Sequence, residues 1–175
     1  MTPSPYPRPE PSEHSPAVAD YLALVPGGDI LPVLTAQPAA LVSLVGALGD
    51  AEALVHHAPY TWSIKQVVGH MVDCDTVFGY RALRLARNDK TPLPGFDENA
   101  YMAAIDFDRL PLAELVEQFQ LTRRAHLLML RHLSPAAWSH TGTVNDHPFS
   151  VRAVAYVMAG HAQHHLNILA KRLGK

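Results

Sequence analysis

Four stretches of this chain repeat apolar side chains at helical spacing, and no stretch sustains the period-two alternation of a half-buried strand. The first spans 30–48, with Leu34, Leu41, Leu44, Val45 and Leu48 on one face. The second spans 63–88; Ser63 followed by Gln66 predicts a capping box, and Ile64, Val67, Val68, Met71, Val72 and Phe78 keep the 3.6 period. The third spans 111–133, with Pro111 in its first turn. The fourth runs from 151 to 173 and stops at Gly174, with Lys171 and Arg172 in its last turn. Each such helix must bury its apolar stripe, so the expected fold is all-α, a four-helix bundle.

Prolines punctuate this pattern. Pro59, Pro92, Pro94, Pro111, Pro135 and Pro148 fall between the periodic segments and mark their boundaries. Pro3, Pro5, Pro7, Pro9, Pro11 and Pro16 crowd the N-terminus. Proline fixes φ and removes a donor, so residues 1–17 are expected as an extended, poorly ordered arm, and 18–175 as one bundle domain. The link 88–110 is longer than a bundle turn and holds Phe96 and Tyr101 among its breakers. It is either a binding element or a crossover that plugs the bundle end.

Composition narrows the classes. A formal charge of -2 leaves no basic footprint for nucleic acid. No apolar run approaches the ~18 residues of a membrane span, and the N-terminus has no signal-peptide core. The single cysteine, Cys74, excludes an internal disulfide and fits a reducing, cytoplasmic setting.

The chemistry concentrates in histidines. His161 and His165 are four apart, so both rings leave the same face of the last helix and can hold a transition metal from one side. His70, on the second helix, is a candidate third ligand, and His164 is the alternative to His165, rotated off the ridge. Three imidazoles would leave coordination positions open, as catalytic sites do. His56, His57, His126, His132 and His140 show no useful spacing and are expected in solvent. The helix is not that of a zinc protease, because Ala162 stands where the general-base Glu would follow the first His. Nor does it carry the Glu-x-x-His pairs of di-iron bundles.

Three runs carry a resemblance. Trp62-Ser-Ile-Lys-Gln-Val-Val-Gly-His70-Met-Val-Asp73, Pro92-Leu-Pro-Gly-Phe-Asp-Glu-Asn-Ala-Tyr101 and Ala159-Gly-His161-Ala-Gln-His-His165 resemble, in order, the second-helix, crossover and last-helix motifs of the DinB/YfiT-like superfamily. The resemblance implies an up-down-down-up bundle with a long crossover between helices two and three. It also implies His70, His161 and His165 as ligands to zinc or nickel, and a homodimer. It implies an enzyme acting on a small molecule, either an S-transferase using a low-molecular-weight thiol such as bacillithiol or mycothiol, or a metal-dependent hydrolase. A non-catalytic metal-binding or dimerisation module is the reading from another class.

Around these ligands, Asp73 is the candidate catalytic carboxylate, as acceptor of a ligand ring N–H or of a substrate proton. Cys74 is expected as a small core residue rather than a ligand. Trp62 is expected to pack the start of the second helix. Gln163 and Asn167 are candidate hydrogen-bonding groups that no spacing selects. Asp97, Glu98 and Tyr101 would line the site if the crossover folds over the bundle mouth.

Overall fold

The computed structural model describes residues 6–175. Among these, helices α1 (Ala19–Ala23), α2 (Ile30–Val45), α3 (Asp50–Ala53), α4 (Ile64–Ala86), α5 (Glu98–Ala104), α6 (Leu112–Arg131) and α7 (Pro135–Trp138) precede a hairpin of β1 (Thr141–Val144) and β2 (His147–Ser150), and α8 (Val151–Arg172) closes the chain. The four long helices are those predicted, each one to three residues shorter at its C-terminal end.

Their starts are chemically marked. The Ser63 hydroxyl accepts from the Gln66 N–H at 3.0 Å while Gln66 Oε1 accepts from the Ser63 N–H at 2.8 Å, so two orphan donors are satisfied reciprocally. Ser150 caps α8 through the Ala153 N–H at 3.1 Å.

Neighbouring contacts order the bundle α2–α6–α4–α8 around its axis. Ser63 at the start of α4 meets Asp108 just before α6, so these two helices run parallel. Tyr156, early in α8, donates to Gly28 O before α2, and Lys175 after α8 donates to Leu44 O near the end of α2, so this pair is parallel too. The Val151 N–H reaches His140 O, and His140 approaches Ala86 O, which joins the start of α8 to the end of α4. The arrangement is up-down-down-up, and the parallel pair α4/α6 requires the long link between them.

Two apolar clusters fill the bundle. One centres on Leu34, Leu85, Trp138 and Tyr156, the other on Leu41, Met71, Phe119 and Leu169. Between them lies a polar layer that no local pattern announces. Arg123, 0% exposed, donates to Asp75 at 2.6 and 3.0 Å and to Gln37 Oε1 at 2.7 Å. Its Nη1 also lies 3.4 Å from Leu34 O, the carbonyl that Pro38, lacking an N–H, cannot bond within α2. His126, expected in solvent, instead sits 3.1 Å from Asp75 as part of this layer.

Two further expectations change. A hairpin does exist: Asn145 and Asp146 adopt φ of 48° and 63°, the left-handed pair of a two-residue turn, and four-residue strands are too short to show alternation. The crossover adds a backbone pairing to it, with Leu93 N bonding Thr143 O and Asn145 N bonding Leu93 O, both at 2.9 Å.

The proline-rich segment, where described, is fastened rather than free. Arg8 donates to the carbonyls of Leu22 and Val25, Tyr6 stacks 4.3 Å from Trp138, and Glu13 pairs with Arg152 at 2.6 Å. Side-chain anchoring supplies what proline's missing donors cannot. The part of that expectation covering residues 1–5 lies outside the described residues. None of the described helices is long and apolar enough to cross a membrane.

Candidate metal centre

α4 and α8 cross so that three imidazoles converge. His70 Nε2 lies 3.0 Å from His161 Nε2, which lies 3.2 Å from His165 Nε2, and one nitrogen of each ring falls within 4.8 Å of the others. Nitrogens bound tetrahedrally to one zinc at about 2.0–2.1 Å would be separated by about 3.3 Å, close to the two shorter spacings. His164 stands outside the cluster, with its ring edge-on to His165 at 5.0 Å.

Glycines permit the approach. A Cβ on Gly69, beside His70, would meet the Phe107 ring at 2.3 Å, and one on Gly160, beside His161, would meet Tyr21 O at 2.1 Å. The glycines before His70 and His161 thus let another segment pack directly on the helix backbone.

Burial sets the protonation. The three rings are 5–7% exposed. Desolvation lowers the pKa of His70 to about 4 and of His165 to about 3, and holds His161 well below its usual range; His164 adds to the lowering of all three, and Glu98 opposes it at His70. At neutral pH all three are uncharged lone-pair donors, and His165 Nδ1 has no partner among the described residues. A borderline-soft divalent cation fits this donor set.

The cluster forms part of the wall of a cavity of about 470 Å³. Tyr21, Trp62, Phe78, Phe96, Val144 and Phe149 supply much of its apolar lining, and Cys74, Arg81, Glu98 and Asn99 are polar exceptions. Three of these walls escaped the sequence. Tyr21 comes from the short α1 and lies edge-on to His161 at 5.4 Å. Val144 and Phe149 come from the hairpin, whose only sequence signal is Asn145-Asp146 between two short extended runs. Trp62 does more than pack a helix start, since its ring lies 5.0 Å from that of His70.

Other candidates separate. Glu98 faces the cavity, whereas Asp97 caps α5 through the N–H groups of Asn99 and Ala100, and Tyr101 stacks on Phe96 at 5.4 Å outside it. Asp73 is not among the cavity walls and is not gathered with the histidines; burial raises its pKa. The carboxylate with partners is Asp75, two residues on, and it faces Arg123. Cys74 lines the cavity with Sγ 3.6 Å from His70 Nε2, and burial pushes its thiol up to about 12, which keeps it protonated and unreactive at neutral pH. Gln163 bonds Asn167 at 2.8 Å on an exposed stretch of α8, away from the cavity walls.

Comparison with known proteins agrees with this architecture. YfiT from Bacillus subtilis, a probable metal-dependent hydrolase with an unusual four-helix bundle topology, superposes with a TM-score of 0.74 at 19% identity, over 95% of this chain and 93% of that one. The mycothiol-dependent maleylpyruvate isomerase superposes with a TM-score of 0.66 at 15% identity, over 83% of this chain and 59% of that one. A search of curated protein sequences returns no significant match. The sequence profile of the DinB superfamily matches residues 34–169, from the second turn of α2 to the last turn of α8 and across all three histidines. The chain belongs to the DinB superfamily.

Proposed function

We propose that this protein is a metal-dependent enzyme that holds one divalent ion, zinc or nickel, on His70, His161 and His165 and transfers a low-molecular-weight thiol to a small electrophile. The convergence of three neutral imidazoles in the wall of a largely apolar chamber carries this reading. A divalent ion held by three uncharged ligands keeps its full positive charge and would make a thiol or a water molecule nucleophilic near neutral pH.

The residues of the chain supply the rest. The aromatic walls exclude water and hold an organic molecule against the histidines. Cys74, protonated and buried, does not compete as nucleophile. A chamber of about 470 Å³ suits an organic molecule of appreciable size, which favours an organic thiol over water as the attacking group. Both solved relatives, one named for metal-dependent hydrolysis and one for dependence on a thiol, support a small-molecule reaction.

Hydrolysis is the second reading, and Glu98 in the cavity favours it, because a carboxylate there can take a proton from water. The test is to incubate zinc- or nickel-loaded protein with a chromogenic electrophile and bacillithiol, mycothiol or glutathione. Metal-dependent thiol consumption matching product formation supports transfer. Product without thiol consumption supports hydrolysis, and no turnover with any pair contradicts both. A homodimer belongs to the same proposal; Leu121 and Leu128, 58% and 50% exposed and seven apart on α6, offer an apolar strip for it, and light scattering in solution tests it.

A further inference from the structure

His70, Cys74, Phe78 and Arg81 follow one another at spacings of four, four and three along α4, so they form one stripe, and all four line the cavity. Arg81 lies three turns beyond His70, about 16 Å along the helix axis. The chamber thus has a metal-binding end and, further along the same helix face, a guanidinium.

That guanidinium is held but not neutralised. Its Nη2 donates to Pro94 O at 2.9 Å, and its plane lies over the Phe96 ring at 5.3 Å, so the crossover fixes its position. Among the described residues no carboxylate lies within ion-pair distance of it. A guanidinium has five N–H donors, and Pro94 takes one. Burial disfavours its charge, and the groups that favour that charge are only Cys74 and Tyr101.

The two buried arginines differ from the half-buried Arg81. Arg123 is matched by Asp75. Arg172 also lacks a carboxylate, but its Nε and Nη1 are sealed from solvent and its Nη2 bonds Val55 O, so it offers nothing to the cavity. Glu98, the acid in the chamber, acts on His70, Cys74 and Tyr21, and the Arg81 guanidinium acts on Cys74 with the opposite sign, so an anionic group is repelled near Glu98 and drawn toward Arg81.

We infer that Arg81 anchors a carboxylate of the small molecule that occupies this cavity, which makes the substrate an organic acid whose apolar body spans from the guanidinium toward the histidines. Arginine suits this role because its planar fork matches a carboxylate with two parallel hydrogen bonds. Phe78, Phe96 and Phe149 flank the path that the apolar body would take. The inference rests on the cavity being the substrate chamber of the proposed metal enzyme, but it concerns the end remote from the metal.

The test uses the full chain stripped of metal by chelator, so that no carboxylate can bind an ion instead. 3-Phenylpropanoate and its uncharged analogue 3-phenylpropanamide are titrated separately and their dissociation constants measured by NMR. The wild type should bind the acid at least about tenfold more tightly than the amide. Arg81→Gln should abolish that preference while leaving amide binding in place, and Arg81→Lys, which keeps the charge without the fork, should retain part of it. Equal binding of acid and amide by the wild type, or no binding of either, overturns the inference. So does a preference that survives in Arg81→Gln.

If Arg81→Gln loses both ligands through displacement of the crossover, the Lys variant and the wild-type preference decide. Metal uptake, measured separately by elemental analysis, tells the two proposals apart. A wild type that shows no preference for the acid but takes up metal normally refutes the anchor alone, and a wild type that shows the preference but takes up no metal refutes the metal enzyme alone.

Discussion

Gln37 Nε2 donates to Ala159 O at 2.7 Å, two residues before His161, while Gln37 Oε1 accepts from Arg123 at 2.7 Å. Through this one amide, α2 is tied both to α8 and to the buried Arg123–Asp75 pair that links α6 to α4. All four long helices therefore share one polar layer beside the histidines. A buried pair of this kind is costly to break singly, because each member leaves the other charged and unsolvated.

Asp75→Asn should accordingly destabilise the fold by about 3–5 kcal/mol, read as a lowered denaturant midpoint. The double variant Asp75→Leu, Arg123→Met should recover part of that loss, since no buried charge remains. A single variant within about 1 kcal/mol of wild type would show that the layer contributes little.

Acidification should weaken the metal-free protein. His70 titrates near 4 and His165 near 3 in the folded state, and His161 is also depressed, against about 6.5 when unfolded. Above pH 6.5 both states are neutral and these groups add no pH dependence. As pH falls below 6.5 the unfolded chain takes up protons first, so stability drops progressively toward pH 4. Asp75, whose folded pKa is lowered, adds its own loss only below its ordinary value of 3.8. Denaturation at pH 7 and pH 5 should show this fall in the wild type and a flatter profile in a His70→Ala, His161→Ala, His165→Ala variant; parallel profiles would contradict the assignment.

Gly160→Ala should disturb α1. Its Cβ would meet Tyr21 O at 2.1 Å, a backbone atom that cannot swing aside. A loss of about 1–3 kcal/mol is expected, with weakened binding of cavity ligands as Tyr21 moves from its wall. Unchanged thermal stability would show that α1 yields freely.

The crossover carboxylates should behave differently from each other. Glu98→Gln should alter ligand affinity and leave metal content unchanged, because Glu98 faces the cavity without belonging to the histidine cluster. Asp97→Ala should remove the cap of α5, a cost of about 1 kcal/mol, and loosen the segment that carries Glu98. Loss of metal on replacing Glu98 would contradict this division.

The sequence displayed the four helices because each repeats its apolar stripe over many turns and has a cap or a breaker at its ends. It displayed His161 and His165 through local spacing, and His70 through its motif. The polar layer was hidden, since Asp75 and Arg123 are 48 positions apart and each resembles a solvated charge on its own helix. The hairpin was hidden because its turn is Asn-Asp rather than Asn-Gly and its strands hold four residues each. Asp73 was the candidate carboxylate by its closeness to His70 in sequence, yet helix rotation puts Cys74, not Asp73, in the cavity wall. The N-terminal prolines suggested a free arm, whereas Arg8 and Glu13 provide anchors that composition does not reveal.

Elemental analysis of the purified protein beside the His70→Ala, His161→Ala, His165→Ala variant decides whether the three histidines hold a metal ion. About one zinc or nickel ion per chain is expected in the wild type and none in the variant. A wild-type protein that carries no metal, and takes up neither zinc nor nickel when offered, would contradict it.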